Sequence, residues 1–309
     1  MKVMVTGGAG FIGSHVVDML IEAGHDVIVV DDLSTGRRSN LNPKAKFYQV
    51  DIRSPHMRDI FAAEKPEVIS HHAAQMDVRR SMKEPLFDAD VNILGSIKLL
   101  ELGREFGTRK FIHISSGGAA YGEPLYLPCD EDHPVRPLCP YGASKYTFEL
   151  YLYMYKENYG LDYTVLRYPN VYGPRQDPHG EAGVVAIFSG QMLKGLPVTI
   201  NGTGEQVRDF VYVTDCARAN LMTLEDGSGQ VYNLGFGIGT SVNEIYQNLK
   251  EITTYPLEAN YGPAKAGETF RIYLDASRAE RELGWKPTFS LREGLTRTVD
   301  YFKMVEIEA

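Results

Sequence analysis

The sequence predicts an α/β protein: a doubly wound parallel sheet with helices on both faces, followed by a smaller C-terminal α/β lobe. Two observations carry this. Short β-branched runs alternate with longer helical patterns through the first half of the 309 residues, the rhythm of βαβ units. After about Pro169 that rhythm gives way to Gly/Pro-rich stretches at 173–183 and 202–204.

In order, strand-like segments occupy 2–6, 26–30, 47–50, 68–71, 111–115 and 163–166, with a helix from about Ile12 to Ala23 and another from Tyr141 to about Asn158. Later helical patterns cover 242–251 and 275–283, the second closed by Gly284-Trp285-Lys286-Pro287. The first domain is expected over 1–169, with return segments near 207–234, and the second lobe mainly over 170–309.

Composition narrows the function classes. With 43% hydrophobic and 23% charged residues, the chain suits a globular protein with a large core. Lys+Arg 32 against Asp+Glu 40 gives a net charge of -8, which repels nucleic acid and offers no broad attraction to anionic membranes. Cys129, Cys139 and Cys216 form no CxxC pair and make a disulfide framework unexpected. No apolar h-region follows Met1 and no run of eighteen apolar residues occurs, so the expectation is a cytoplasmic protein.

Gly8-x-Gly10-x-x-Gly13 follows a strand and opens a helix, the context of a Rossmann dinucleotide turn. Glycine lets the backbone turn tightly and approach a pyrophosphate, whose charge meets free N–H groups at the helix start. An empty βα turn could carry the same glycines, but the next strand ends in Asp31-Asp32. A carboxylate there accepts from the adenosine ribose and repels a 2′-phosphate, which argues for NAD over NADP. Arg37 and Arg38 downstream read as a solvated loop.

Tyr141 and Lys145 lie four apart on one helical face. An ammonium beside a phenol is expected to draw its pKa down toward working pH, making a general base. Tyr246/Lys250 and Tyr261/Lys265 share the spacing, so position decides: only the first pair stands beside Ser115-Ser116, at the carboxyl end of a strand where ligands collect. His71-His72 point to opposite faces of a strand with no carboxylate cluster, so no metal is expected. Tyr151, Tyr155 and Tyr159 recur at helical spacing, as in core or subunit packing.

With these residues in view, the chain resembles an extended short-chain dehydrogenase/reductase, and within that group the NAD-dependent nucleotide-sugar epimerases of the UDP-galactose 4-epimerase type. The resemblance runs through residues 6–14, Asp31 to Gly36, His72 to Gln75, Ser115-Ser116, Pro140 to Lys145, Leu166 to Pro178, Val207 to Val213 and Leu283 to Pro287. It implies an NAD site made by Gly7, Gly10, Phe11, Ile12, Gly13, Asp31, Asp32, Ser34, Gly36, Asp51, Ile52, Ala73, Ala74, Gln75, Asn92, Tyr141, Lys145 and Tyr168. For the sugar nucleotide it implies Ser116, Tyr141, Asn170, Val184, Val185 and Arg208, with Lys265, Glu268 and Arg271 in the C-terminal lobe. Lys265 stands where such epimerases usually carry Arg, and Arg271 is the expected substitute. Of Ser115 and Ser116, Ser116 is chosen as the catalytic hydroxyl.

The implied reaction is reversible C4 epimerisation of a UDP-hexose, UDP-glucose and UDP-galactose first, through a 4-keto sugar with tightly held NAD. Tyr141 takes the 4-hydroxyl proton, Lys145 supports it and Ser116 bonds the reacting oxygen. The expected assembly is a homodimer. The alternatives are another UDP-sugar (UDP-N-acetylhexosamine or UDP-glucuronate), an NAD-linked nucleotide-sugar dehydrogenase/reductase, or a non-catalytic NAD sensor. Gly117-Gly118 after Ser116 supplies no acid or base for dehydration, and Asp177 is expected to repel an acidic sugar.

Overall fold

A computed structural model describes residues 1–178, 183–264 and 269–308, with side chains to Val305. Its centre is a seven-stranded, wholly parallel sheet of β1 (Lys2–Thr6), β2 (Asp26–Asp31), β3 (Lys46–Gln49), β4 (Val68–His71), β5 (Lys110–Ser116), β6 (Asp162–Tyr168) and the late strand Gln230–Asn233. From one edge the order is Gln230–Asn233, β6, β5, β4, β1, β2, β3. The switch point falls between β1 and β4, at the glycine turn.

Side chains alternate across the sheet, so each strand feeds two cores. Val3, Val5, Val27, Val29, Ile112 and Leu166 pack under α1 (Phe11–Glu22) and the helix Val213–Met222, with Trp285 buried among them. Met4, Ile28, Val30, Ile69 and Phe111 pack on the other face against Phe61, Leu99, Phe148 and Leu152. A third core, with Tyr172, Phe188, Phe210, Ile245, Leu249 and Leu295, belongs to the C-terminal lobe. No helix among the described residues is long and apolar enough to cross a membrane.

The pattern at 275–283 is shorter in the structure, a helix over Ser277–Leu283, because the Asp275 carboxylate accepts from Ser277 N–H at 2.7 Å and holds the chain in a turn before it. The Tyr141 helix spans Pro140–Tyr159; Pro140 suits its first turn, and Cys139 Sγ caps Gly142 N–H at 3.4 Å. Tyr155 is buried on that helix, whereas Tyr159 is exposed.

An ion pair inside the core ties this helix to β6. Arg167 donates to both oxygens of Glu149, at 3.1 and 2.6 Å, and its third contact is Tyr121 Oη at 2.8 Å. Both charges are about 95% enclosed. Removing one partner strands the other without water, which costs about 3–5 kcal/mol. Arg167→Met is therefore expected to lower the unfolding free energy by that amount in urea titration, and a loss under 1 kcal/mol would show the pair to be dispensable.

A nucleotide and sugar site at the carboxyl edge of the sheet

The glycine turn is shaped by close approach. Gly7 has φ +71°, and a Cβ there would lie 2.6 Å from Ala73 N; a Cβ at Gly13 would overlap the Gly7 carbonyl. Helix α1 begins at Gly10 with no side-chain cap and no acidic residue in its first turn, leaving its positive end for an anion. These features fit a dinucleotide pyrophosphate. Phe11, Ile12, Ala73 and Ala74 are half-buried around the turn.

At the end of β2, Asp31 accepts Ala9 N–H at 3.0 Å and Leu33 N–H at 2.8 Å, and Gly36 folds close over it: a Cβ at Gly36 would sit 2.7 Å from Oδ1. The loop thus fixes the carboxylate, and each oxygen keeps a lone pair for a ribose hydroxyl. Asp32 holds Ser34 through its N–H at 2.8 Å and its hydroxyl at 2.6 Å. Asp51 is gripped by Arg53, which also pairs with Asp90 at 2.6 Å and holds the Asp51 carboxyl below its ordinary range. Arg53 carries no motif in the sequence.

Several residues expected at the cofactor have protein partners of their own. Asn92 accepts Gln75 N–H at 2.8 Å and donates to Gln75 O at 2.9 Å, so the two brace each other. Ile52 is a core side chain packed with Met57 and Ile60. The Tyr168 ring lies in the core and its hydroxyl bonds Cys216 O, at 3.3 Å, and Asn220 Nδ2, which leaves the backbone at the end of β6 as the part of this residue within reach of a cofactor.

At the end of β5 the two serines separate, because consecutive strand residues face opposite sides. Ser115 is buried and donates to Glu149 at 2.6 Å, joining the internal ion pair. Ser116 is half-buried and lies beside the Tyr141 hydroxyl, close enough to favour its ionised form. Ser116 and Asn170 face each other across Gly118, where a Cβ would stand at ordinary contact distance from both, 3.8 Å from Asn170 Oδ1 and 3.9 Å from Ser116 Oγ.

Lys145 is enclosed and donates to Ile114 O at 2.8 Å, fixing the helix over β5. Burial pulls its pKa down to about 8, with Asp88 and Glu149 pulling the other way. The expected depression of the tyrosine is reversed. Burial pushes the Tyr141 phenol up to about 12, the Ser116 hydroxyl offsets part of this, and Cys139 and Asp88 add to it. The ammonium is committed to the Ile114 carbonyl, so this chain's residues alone keep the proton on Tyr141.

In the C-terminal lobe, Asn170 opens a strand, Asn170–Tyr172, and donates to Asp209 O at 3.0 Å. Arg208 donates to Val207 O at 2.9 Å and Phe270 O at 3.3 Å, and Arg271 bridges to Val207, so the two guanidinium-bearing segments lie side by side. Asp209, within the same motif, locks this edge by accepting N–H groups of Phe236, Gly237 and Leu274 at 3.0–3.2 Å; burial pushes its carboxyl up to about 6. Val185 is a core side chain beside Phe188 and Met192, and Val184, half-buried at the same helix start, packs against that core. Lys265 and Glu268 lie outside the described residues.

A loop from this lobe is fastened over α1: His15 Nε2 meets Pro174 O at 3.0 Å, Arg175 pairs with Asp18 at 2.7 Å, and Arg37 with Asp177 at 3.0 Å. Arg37 is thus more than a solvated loop residue. Asp177, paired with it, gives no argument against an acidic sugar.

Comparison with known proteins matches this arrangement. The model of the NAD-dependent epimerase/dehydratase family fits residues 3–235. UDP-glucose 4-epimerase of Mycolicibacterium smegmatis is 45% identical over 309 residues, 98% of this chain and 99% of that one. The structure of UDP-glucose 4-epimerase from Thermotoga maritima with UDP-glucose superposes with a TM-score of 0.98 at 52% identity, covering 99% and 100% of the two chains. That of the Thermus thermophilus UDP-glucose 4-epimerase with NAD gives 0.94 at 44% identity, covering 98% and 99%. A frame shared from end to end, with a glycine turn and a tyrosine–lysine helix in place, makes this chain a member of the NAD-dependent epimerase/dehydratase family.

Proposed function

We propose that the protein interconverts UDP-galactose and UDP-glucose by inversion at C4, on an NAD that it retains between turnovers. One arrangement carries the reading: Tyr141 stands beside Ser116, which faces Asn170 across Gly118, on a helix that Lys145 anchors to β5. Full-length relatives with this frame are named for that reaction, and the Thermotoga maritima and Thermus thermophilus structures hold UDP-glucose and NAD respectively.

Gly7 to Gly13 and Asp31 hold the dinucleotide. When bound, NAD supplies a hydride acceptor and, oxidised, a positive charge that offsets the cost of the Tyr141 phenolate. Tyr141 takes the 4-hydroxyl proton and later returns it, and Ser116 orients the reacting oxygen. Lys145 holds the cofactor ribose and steadies the phenolate. Arg208 and Arg271 meet the diphosphate, where a guanidinium binds two oxygens at once. Gly117 and Gly118 offer no acid or base, so the 4-keto sugar is reduced again, not dehydrated.

The partner we infer is a second copy of this chain. Leu150, Tyr153 and Met154 stand exposed on the Pro140–Tyr159 helix, near exposed Leu86 and Leu94 on helices packed against it, an apolar face suited to self-association. Three unbridged cysteines, two of them buried, suit a reducing cytosol.

Protein purified without added NAD is expected to convert UDP-galactose to UDP-glucose with none supplied, as read by chromatography. No turnover across UDP-hexoses, their N-acetylated forms and UDP-glucuronate would refute the reading. Tyr141→Phe should abolish turnover while leaving NAD bound; activity within about tenfold of wild type would remove Tyr141 as the base. Ser116→Ala should cost kcat roughly 10²-fold with unchanged folding. Ser115→Ala should keep kcat within about tenfold and lower the melting temperature instead, because Glu149 loses a buried donor.

A further inference from the structure

Asp88 lies on the short helix Pro85–Ala89 and is 1% exposed. Its Oδ1 accepts from Gln75 Nε2 at 2.9 Å and Asn92 Nδ2 at 3.1 Å; its Oδ2 is buried with no hydrogen-bond partner. No Lys or Arg among the described residues pairs with it. A buried carboxylate in that condition is costly, and such a group in a site commonly has a functional reason.

Its surroundings supply one. Asn92 Nδ2 also reaches Ser144 Oγ at 3.2 Å, the residue before Lys145, so Asp88 is tied to the helix that bears the reactive pair. The Asp88 charge is felt by Lys145 and Tyr141 on that helix and by Cys139 at its cap, and Lys145 in turn by Glu149 beside it and by His71, His72 and His113, of which His72 hydrogen-bonds Ser70 on the Asn220 side of the sheet. The three histidines are held neutral, chiefly by burial and then by the Lys145 charge, with His72 pulled down to about 3. Glu149 already answers Arg167 with both oxygens. Asp88 is therefore the negative charge left to answer Lys145.

We propose that Asp88 is the counter-charge of the proton-handling pair: it keeps Lys145 an ammonium and holds the proton on Tyr141 until the positive nicotinamide of oxidised NAD shares the site. Its charge acts on both groups in the same direction. It favours the ammonium and disfavours the phenolate, so it keeps a proton on each. An oxidised nicotinamide would favour the Tyr141 phenolate that accepts the 4-hydroxyl proton; once it is reduced that charge would be gone, and Tyr141 would keep the accepted proton for the 4-keto oxygen. Asp88 is a positioning residue, acting through the field and through Asn92.

This inference rests on Tyr141 being the base, and its test reads ionisation apart from turnover. In the protein with its native cofactor, tyrosinate absorbance is titrated in wild type and in Asp88→Asn, each against the same background carrying Tyr141→Phe. The isosteric Asn keeps the acceptor for Gln75 and removes the charge. Tyr141 should then titrate about one pH unit lower, and both limbs of the kcat–pH profile should move to lower pH together. Asp88→Glu, which keeps the charge, should leave the Tyr141 titration and both limbs at their wild-type positions even where kcat falls. If Asp88→Asn does not fold, Asp88→Ser removes the same charge and is read identically. A titration and profile unmoved by loss of the charge would overturn the proposal and leave Asp88 a purely structural brace.

Discussion

A buried ammonium needs a fixed acceptor, and in this protein that need sets the geometry of the site. Lys145 donates to the Ile114 carbonyl, near the carboxyl end of the interior strand β5, and so pins the helix Pro140–Tyr159 across the carboxyl edge of the sheet. The Glu149–Arg167 pair, one turn further along, fastens the same helix to β6. With those two points fixed, Tyr141, one turn before Lys145 on the same helix, is held beside Ser116. The cofactor turn lies two strands away, at β1, so the sheet sets the distance between nucleotide and reacting group.

Charge in this interior is arranged so that burial does the tuning. It lowers Lys145 and raises Tyr141, which separates the two in the sense opposite to an ammonium–phenolate pair. The chain without its cofactor thus stores a protonated acid. A positive charge beside the phenol, such as an oxidised nicotinamide would bring, would favour its ionised form.

What was legible in the sequence was whatever a local constraint dictates. Gly7 and Gly13 are readable because no side chain fits their positions. Tyr141 and Lys145 are readable because helical spacing alone puts them on one face. The direction of the Tyr141 shift was not, because spacing records neighbours and not burial. Ser115 and Ser116 could not be told apart until strand faces and Glu149 were known. Arg53, Asp88 and the Arg37–Asp177 pair leave no motif, since each acts through a partner brought near by the fold. Tyr168 and Val185, by contrast, sit inside recognisable motifs and still point into the core.

On the proposed function, one resident NAD would accept a hydride from C4 and return it to the same carbon. UDP-galactose carrying deuterium at C4, turned over in ordinary water with unlabelled NAD added in excess, tests it most directly. The account predicts UDP-glucose with the deuterium still at C4 and none in the dissolved cofactor pool. Deuterium lost to solvent, or found in dissolved NADH, would contradict it.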